Sequence, residues 1–251
     1  MKNAIAADWA APTKVVAFST LRDGGGSKAP YESLNFAYHV GDSATNVHKN
    51  RTTLSAHLSP KLQWQWLQQI HGAGVVEVVE PTVELAADAL FTKQPNVVCC
   101  VQTADCLPVF FAARNGSEVA IAHAGWKGLV AGVLENTVRK MSSDASEIIA
   151  WLGPAIGPCH FEVGAEVKES FLESANSLAV KESLEGCFKI TRSSQKFMAD
   201  IYAIARIKLS QLGISQITGG SHCTYCAEEC FFSYRRDGVS GRMLNAIYID
   251  A

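Results

Sequence analysis

No stretch of this 251-residue chain approaches the roughly 20 apolar residues that a membrane-spanning helix needs, so no membrane partner is expected. Residues 1–9 carry no apolar core of the kind a signal peptide requires, which makes the cytoplasm the expected location. Charge of one sign is equally scarce: 22 Lys and Arg stand against 24 Asp and Glu, with no charge block. That balance lacks the clustered cations with which a nonspecific nucleic-acid binder displaces counterions, and it favours a small-molecule substrate. There is no fixed-period repeat and no Pro/Ser-rich linker, so residues 1–251 are expected to form one domain, acting as a monomer or homodimer. The seven histidines include no His-x-His pair, the arrangement that feeds a trinuclear copper cluster in multicopper oxidases. A disulfide framework is not expected either, because eight cysteines in a leaderless chain of this length normally stay reduced.

What is present is a substantial apolar fraction, 48% of residues, arranged in short runs. Strand-like runs cover 14–19, 66–70, 74–79, 97–101, 108–112, 119–123, 148–152 and 246–249. Cys99 and Cys100 fall inside an unbroken apolar run and read as buried structural thiols. A helix is expected from about Leu129, with Val130, Val133, Leu134, Thr137, Val138 and Met141 on one face. Another should start after Asp200 as N-cap, turn Ile201, Ile204, Ala205, Leu209 and Leu212 inward, and stop at Gly213. The fold class is therefore α/β.

Three metal-capable side chains stand where apolar runs end or turn: His71 in Gln69-Ile70-His71-Gly72, Cys106 in Thr103-Ala104-Asp105-Cys106-Leu107-Pro108, and His123 in Ala122-His123-Ala124-Gly125-Trp126-Lys127-Gly128. One thiolate and two imidazoles can hold Zn²⁺ and leave a fourth position open, which is the stoichiometry of a catalytic site. The ordinary alternatives are satisfied core histidines and a buried thiol. Asn115-Gly116 is a favoured turn dipeptide, and an antiparallel hairpin around it would bring Cys106 and His123 to the same end.

The same motifs, with Asp88 to Thr92, Gly153 to Pro158 and Phe232 to Met243, resemble the YfiH-like family, long labelled multicopper polyphenol oxidoreductase or laccase-domain proteins. Its patterns look like QxHG, DALxT, TADCxPV, AHAGWKG, GPAIGP and FxSYRRDGxxGRM, and Ser33-Leu34-Asn35 and Asn50-Arg51 also look like family positions. The resemblance implies a layered α/β sandwich of mixed sheets covered by helices, a fold shared with the bacterial necrotizing-factor toxins. It implies zinc on His71, Cys106 and His123, with Cu²⁺ able to replace it at a nitrogen and sulfur site. The implied activity is phosphorolysis of adenosine, inosine and S-methyl-5′-thioadenosine, with adenosine deamination as a second activity. Rival readings are a peptidoglycan-editing amidase that removes misincorporated serine, a copper-loaded polyphenol oxidase, and a non-catalytic thiol redox module.

Phosphorolysis needs a cation for phosphate. Arg51 is the first candidate, because a guanidinium offers a bidentate fork, although a surface salt bridge is the plainer role. Lys127 and Asn35 are candidate substrate contacts, or respectively a solvated charge and a turn cap. Gly24-Gly25-Gly26-Ser27 is either an anion nest or a flexible turn without the Lys of a P-loop. Arg235 and Arg236 either close over a phosphate or build a salt-bridged turn. His222, Cys223, Cys226 and Cys230 resemble part of a second metal site, or else are buried or redox-sensitive thiols. Cys159 and His160, if neighbours on a strand, would point to opposite faces and could not share an ion.

Overall fold

The strands Val97–Thr103, Leu107–Ala113 and Val119–Ala124 are buried along their whole length, which is why their sequences read as continuous apolar runs rather than alternating ones. The structure is a computed structural model that describes residues 3–192 and 195–251; Met1 and Lys2 of the segment 1–9 lie outside them. One sheet has five strands in the order Ala4–Ala6, Val15–Thr20, Met243–Ile249, Val97–Thr103 and Gln63–Gln65. A second has six, in the order Gln216–Gly219, Ile148–Leu152, Leu107–Ala113, Val119–Ala124, Ala89–Thr92 and Val75–Glu77. Both are mixed, with parallel pairs at their margins, such as Gln63–Gln65 with Val97–Thr103 and Ile148–Leu152 with Gln216–Gly219.

Side-chain alternation assigns the layers. Cys99, Val101 and Ile247 of the first sheet meet Phe110, Ile121 and Trp151 of the second in an apolar core between the sheets. Their neighbours Val98, Cys100 and Ala246 point the other way, onto Phe36 and, from the helix Ala44–Leu58, Leu54 and Leu58. The outer face of the second sheet, with Val109, Phe111, Ala120 and Ala150, is covered by Leu129, Leu134, Ile204 and Leu209. The result is a four-layer α/β sandwich of mixed sheets, as the fold class expected from the sequence.

The Asp200 N-cap is present: its carboxylate accepts from the Ala203 N–H at 2.9 Å, and the helix runs Ile201–Gln211 with Ile201, Ile204, Ala205 and Leu209 buried. The helix expected from Leu129 is instead two, Trp126–Ala131 and Val133–Lys140. They are split at Gly132, whose φ of 89° lies in the left-handed region that a side chain disfavours. The apolar stripe survives the break, since Leu129, Val133, Leu134 and Val138 stay buried. Gly132→Ala is expected to cost about 1–2 kcal/mol and to lower Tm by a few degrees in thermal denaturation. An unchanged Tm would mean that the two helices can realign as one.

The helix Ala44–Leu58 has no clear apolar stripe, since only Val47 and Asn50 are buried, and periodicity missed it. The expected strand at 66–70 shrinks to Leu67–Gln68, because the backbone that follows is drawn away to a carboxylate described next.

Candidate metal centre and its cleft

The hairpin of Leu107–Ala113 and Val119–Ala124 pairs Leu107 with Ala124 and Pro108 with His123, so Cys106, just before the first strand, stands beside His123 at one end. His71 arrives from a loop held by Asp88, a fully buried carboxylate at the start of the Ala89–Thr92 strand. Asp88 accepts hydrogen bonds from three successive backbone N–H groups, of Ile70 at 3.2 Å, His71 at 2.9 Å and Gly72 at 2.6 Å. That grip holds His71 at a φ of 58°, a conformation unusual for a residue with a side chain, and turns its ring toward the hairpin end. The ligand atoms of His71, Cys106 and His123 all lie within 4.8 Å of one another, and the two rings meet edge to face with centroids 4.8 Å apart.

Asp88 also accepts a hydrogen bond from the His123 Nδ1–H, at 2.8 Å. An ionised carboxylate only accepts, so a proton is on Nδ1, and Nε2 is the nitrogen left for the Cys106 side, where it can ligate a metal once its own proton is lost. Burial alone would raise the Asp88 carboxyl, but hydrogen bonds from His123, Gly72 and His71 outweigh it and hold it below its usual range. Burial likewise pushes the Cys106 thiol up, yet the charge and hydrogen bond of His123, helped by His71, bring it down to about 6. For His123, burial disfavours the charged form, whereas the Cys106 thiolate and the Asp88 hydrogen bond lift it to about 9. A soft thiolate with two imidazoles, one tied to a buried carboxylate, fits the donor set of a zinc site with an open position.

This set borders a cleft of about 400 Å³ lined by Ile70, Ala104, Trp126, Ile156, Phe161 and Ile201, with Tyr234, Lys127 and Arg235 at the polar side. Gly125 permits the close approach: a Cβ there would stand 3.0 Å from the Cys106 sulfur and 3.5 Å from the His71 ring. Asp105 does not face a ligand. Its carboxylate accepts from the Thr224 hydroxyl and the Arg235 backbone N–H, both at 2.6 Å, and so fixes the turn that carries Tyr234 and Arg235 over the cleft.

Lys127 thus shares the cleft with His71 and Cys106, while His123 is buried behind them and Asn35 and Arg51 do not line it. Asn35 is fully buried, and its amide is spent within the protein, on Ala37, Asp42 and the Arg242 N–H. Arg51 lines another cleft, of about 370 Å³, with His39, Tyr38, Gln69 and Glu84. There it donates to Phe36 O at 3.0 Å, pairs with Glu84 at 3.3 Å and lies 3.6 Å from the centre of the Trp66 ring. Gly24 to Gly26 form no anion nest, since their N–H groups already bond Ser33 Oγ and Asn50 Oδ1. Arg236 is architectural: it clips Thr224 O, Tyr225 O and Phe231 O and pairs with Asp237. Arg235 donates to His160 O and Glu162 O at the cleft wall.

Asp88 is the functional residue that a reading for metal ligands passes over. Its signal was a lone carboxylate entering the apolar run Ala89-Leu90-Phe91, a place where only a fully hydrogen-bonded acid survives burial.

A family model described as multi-copper polyphenol oxidoreductase laccase matches residues 16–250. Purine nucleoside phosphorylase YfiH of Escherichia coli is 46% identical over 250 residues, spanning 99% of this chain and 100% of that protein. Among solved structures, Neisseria meningitidis protein NMB0706 superposes with a TM-score of 0.93 at 42% identity, covering 99% of this chain and 100% of that one. YlmD from Geobacillus stearothermophilus gives 0.84 at 32% identity over 95% and 93% of the two chains. The motifs that gather around His71, Cys106 and His123 are thus carried on a shared fold, and the chain belongs to the multi-copper polyphenol oxidoreductase laccase family, that of the YfiH proteins.

Proposed function

We propose that the protein is a zinc-dependent purine nucleoside phosphorylase that cleaves adenosine, inosine and S-methyl-5′-thioadenosine to free base and a ribose 1-phosphate, with adenosine deamination as a second activity. The observation that carries this reading is the three-ligand set His71, Cys106 and His123 at a cleft with flat apolar walls and a cationic side. The Escherichia coli relative that bears the name of this activity is matched over its full length. The indole of Trp126 and the rings of Phe161 and Tyr234 offer faces for a purine. Lys127 and Arg235 supply positive charge for phosphate. A phosphate oxygen attacks C1′ of the ribose, the glycosidic C–N bond breaks, and the base departs with the bonding electron pair and is protonated. A zinc ion on the three ligands would supply Lewis-acid polarisation at the cleft floor. A laccase mechanism is disfavoured. Among the described residues the metal-capable groups are two, the triad and a Cys-rich cluster, and neither offers the histidines of a trinuclear copper site.

Arg51 stays in this reading as a phosphate contact, because Gln69, which lines its cleft, directly precedes Ile70 and His71 of the metal cleft. Arg51→Ala is expected to raise KM for phosphate by about 10-fold or more and to leave KM for adenosine nearly unchanged, as loss of a charge-assisted bond would. Equal changes in both constants would return Arg51 to a structural role. The whole reading is tested by incubating the purified protein with adenosine, with and without phosphate, and separating adenine, inosine and hypoxanthine. Phosphate-dependent adenine is the expected product. No base, with serine released from a muramyl peptide, would replace it by the cell-wall amidase.

A further inference from the structure

We propose a second, closed zinc site formed by Cys159, His160, Cys223 and Cys226, one that acts as a structural staple for the cleft wall. Their ligand atoms lie within 4.8 Å of one another. The Cys159 sulfur stands 3.7 Å from that of Cys223 and 3.4 Å from that of Cys226, and the His160 Nδ1 stands 3.2 Å from Cys159 and 3.3 Å from Cys226. Zn–S bonds near 2.3 Å and Zn–N bonds near 2.0–2.1 Å in a tetrahedron place sulfurs about 3.8 Å apart and sulfur about 3.5 Å from nitrogen. The four atoms already sit close to those edges.

The objection that adjacent residues cannot share an ion holds for strands only. Cys159 and His160 occupy a turn, closed by the His160 N–H on Gly157 O at 3.1 Å, and the turn brings both side chains to one side. Cys223 and Cys226 lie in a second turn, with the Ala227 N–H on Cys223 O at 3.0 Å, a Cys-x-x-Cys arrangement suited to zinc. The Gly157 N–H donates to the Cys223 sulfur at 3.1 Å, a bond that favours the thiolate, and the His160 ring stacks on Tyr225 at 3.9 Å, which fixes its orientation. A disulfide accounts for less. It would join two of the three sulfurs at about 2.05 Å and leave the third thiol and the imidazole with nothing to do. Of the residues singled out earlier, His222 and Cys230 stand outside the cluster.

Four protein ligands leave no open position, so the role is structural. Between them the two turns carry the wall of the active cleft. Phe161 follows His160, Arg235 donates to His160 O, and Thr224 holds Asp105 beside Cys106. Zinc here would tie the turn after the Ile148–Leu152 strand to the segment before the Tyr234–Asp237 helix.

The test separates this site from the triad. In the full-length His71→Ala/His123→Gln protein, purified without chelators, elemental analysis should find about one zinc per chain. X-ray absorption should show three sulfurs near 2.3 Å and one nitrogen near 2.0–2.1 Å. Adding Cys226→Ser should remove that zinc, whereas Cys226→His, which restores a ligand, should keep it. These readouts do not depend on turnover, so they stand or fall apart from the phosphorylase reading. A metal-free background protein with free thiols at Cys159, Cys223 and Cys226, a Cys159–Cys226 disulfide by mass mapping, or bound iron in place of zinc would each overturn the proposal.

Discussion

Asp88→Ala is expected to weaken zinc binding at the proposed triad and to lower Tm by about 10 °C. The substitution strands the N–H groups of Ile70, His71 and Gly72 together with the His123 Nδ1 proton, all of which now converge on one buried carboxylate. Each buried donor left without a partner costs about 1–3 kcal/mol, and water entering the space left by the carboxylate recovers part of it, for a net loss of about 3–5 kcal/mol. In a chain of this size 1 kcal/mol corresponds to roughly 2–4 °C. Metal affinity should fall by about 10- to 100-fold or more, because the same carboxylate sets the tautomer of one ligand and the backbone conformation of another. Asp88→Asn should be milder in stability, since its amide oxygen still accepts, but should turn an N–H toward donors. The contribution is present at neutral pH: a carboxyl whose folded-state pKa lies below its unfolded value loses its stabilising effect only as pH falls through that lower value. Thermal denaturation and zinc titration of the two variants check this, and unchanged zinc affinity with an unchanged Tm in Asp88→Ala would refute it.

The parts of the fold that were legible from sequence are those where burial repeats. Leu107–Ala113 and Val119–Ala124 are apolar on both faces, and the Asn115-Gly116 turn between them announces a hairpin that sets Cys106 beside His123. The helix Ile201–Gln211 was visible because cap, stripe and terminator agree. Ala44–Leu58 was not, because it covers the sheet mainly with Val47 and partly buried leucines, too narrow a stripe to register as a period. The site was partly legible for a different reason. His71, Cys106 and His123 advertise themselves by residue type, whereas Asp88 works through hydrogen bonds to backbone far along the chain, which leave no spacing to detect. The pairing of Cys159 and His160 with Cys223 and Cys226 joins two turns more than 60 positions apart, as the contact between Cys159 and Cys226 shows. The parallel bridge between Ala155 and Cys223, with the Thr224 N–H on Ala155 O and the Gly157 N–H on the Cys223 sulfur, makes them neighbours.

Cys106→Ser is expected to abolish zinc retention at the triad and to reduce phosphorolysis by at least about 100-fold, beyond what loss of an outer partner would cause. A serine hydroxyl stays neutral at any working pH, so the exchange removes the anion that both balances the metal and holds the proton of His123. In the metal-free wild-type protein the consequence is a thiolate–imidazolium pair with a defined window. The thiol is depressed to about 6, so the thiolate is lost as pH falls through that value; the imidazole is raised to about 9, so its charge is lost as pH rises through that one. Between the two the pair stabilises the empty site and presents a nucleophilic sulfur at the cleft. Alkylation of the metal-free protein, with peptide mapping to separate Cys106 from the exposed Cys159 and Cys226, should therefore show an inflection near pH 6 at Cys106. An inflection near 9, the ordinary value, would mean that His123 and His71 do not stabilise the anion. Zinc capture must displace the His123 proton below pH 9 in either case; with the thiol at about 6 a second proton is displaced only below that value, so the pH dependence should steepen there.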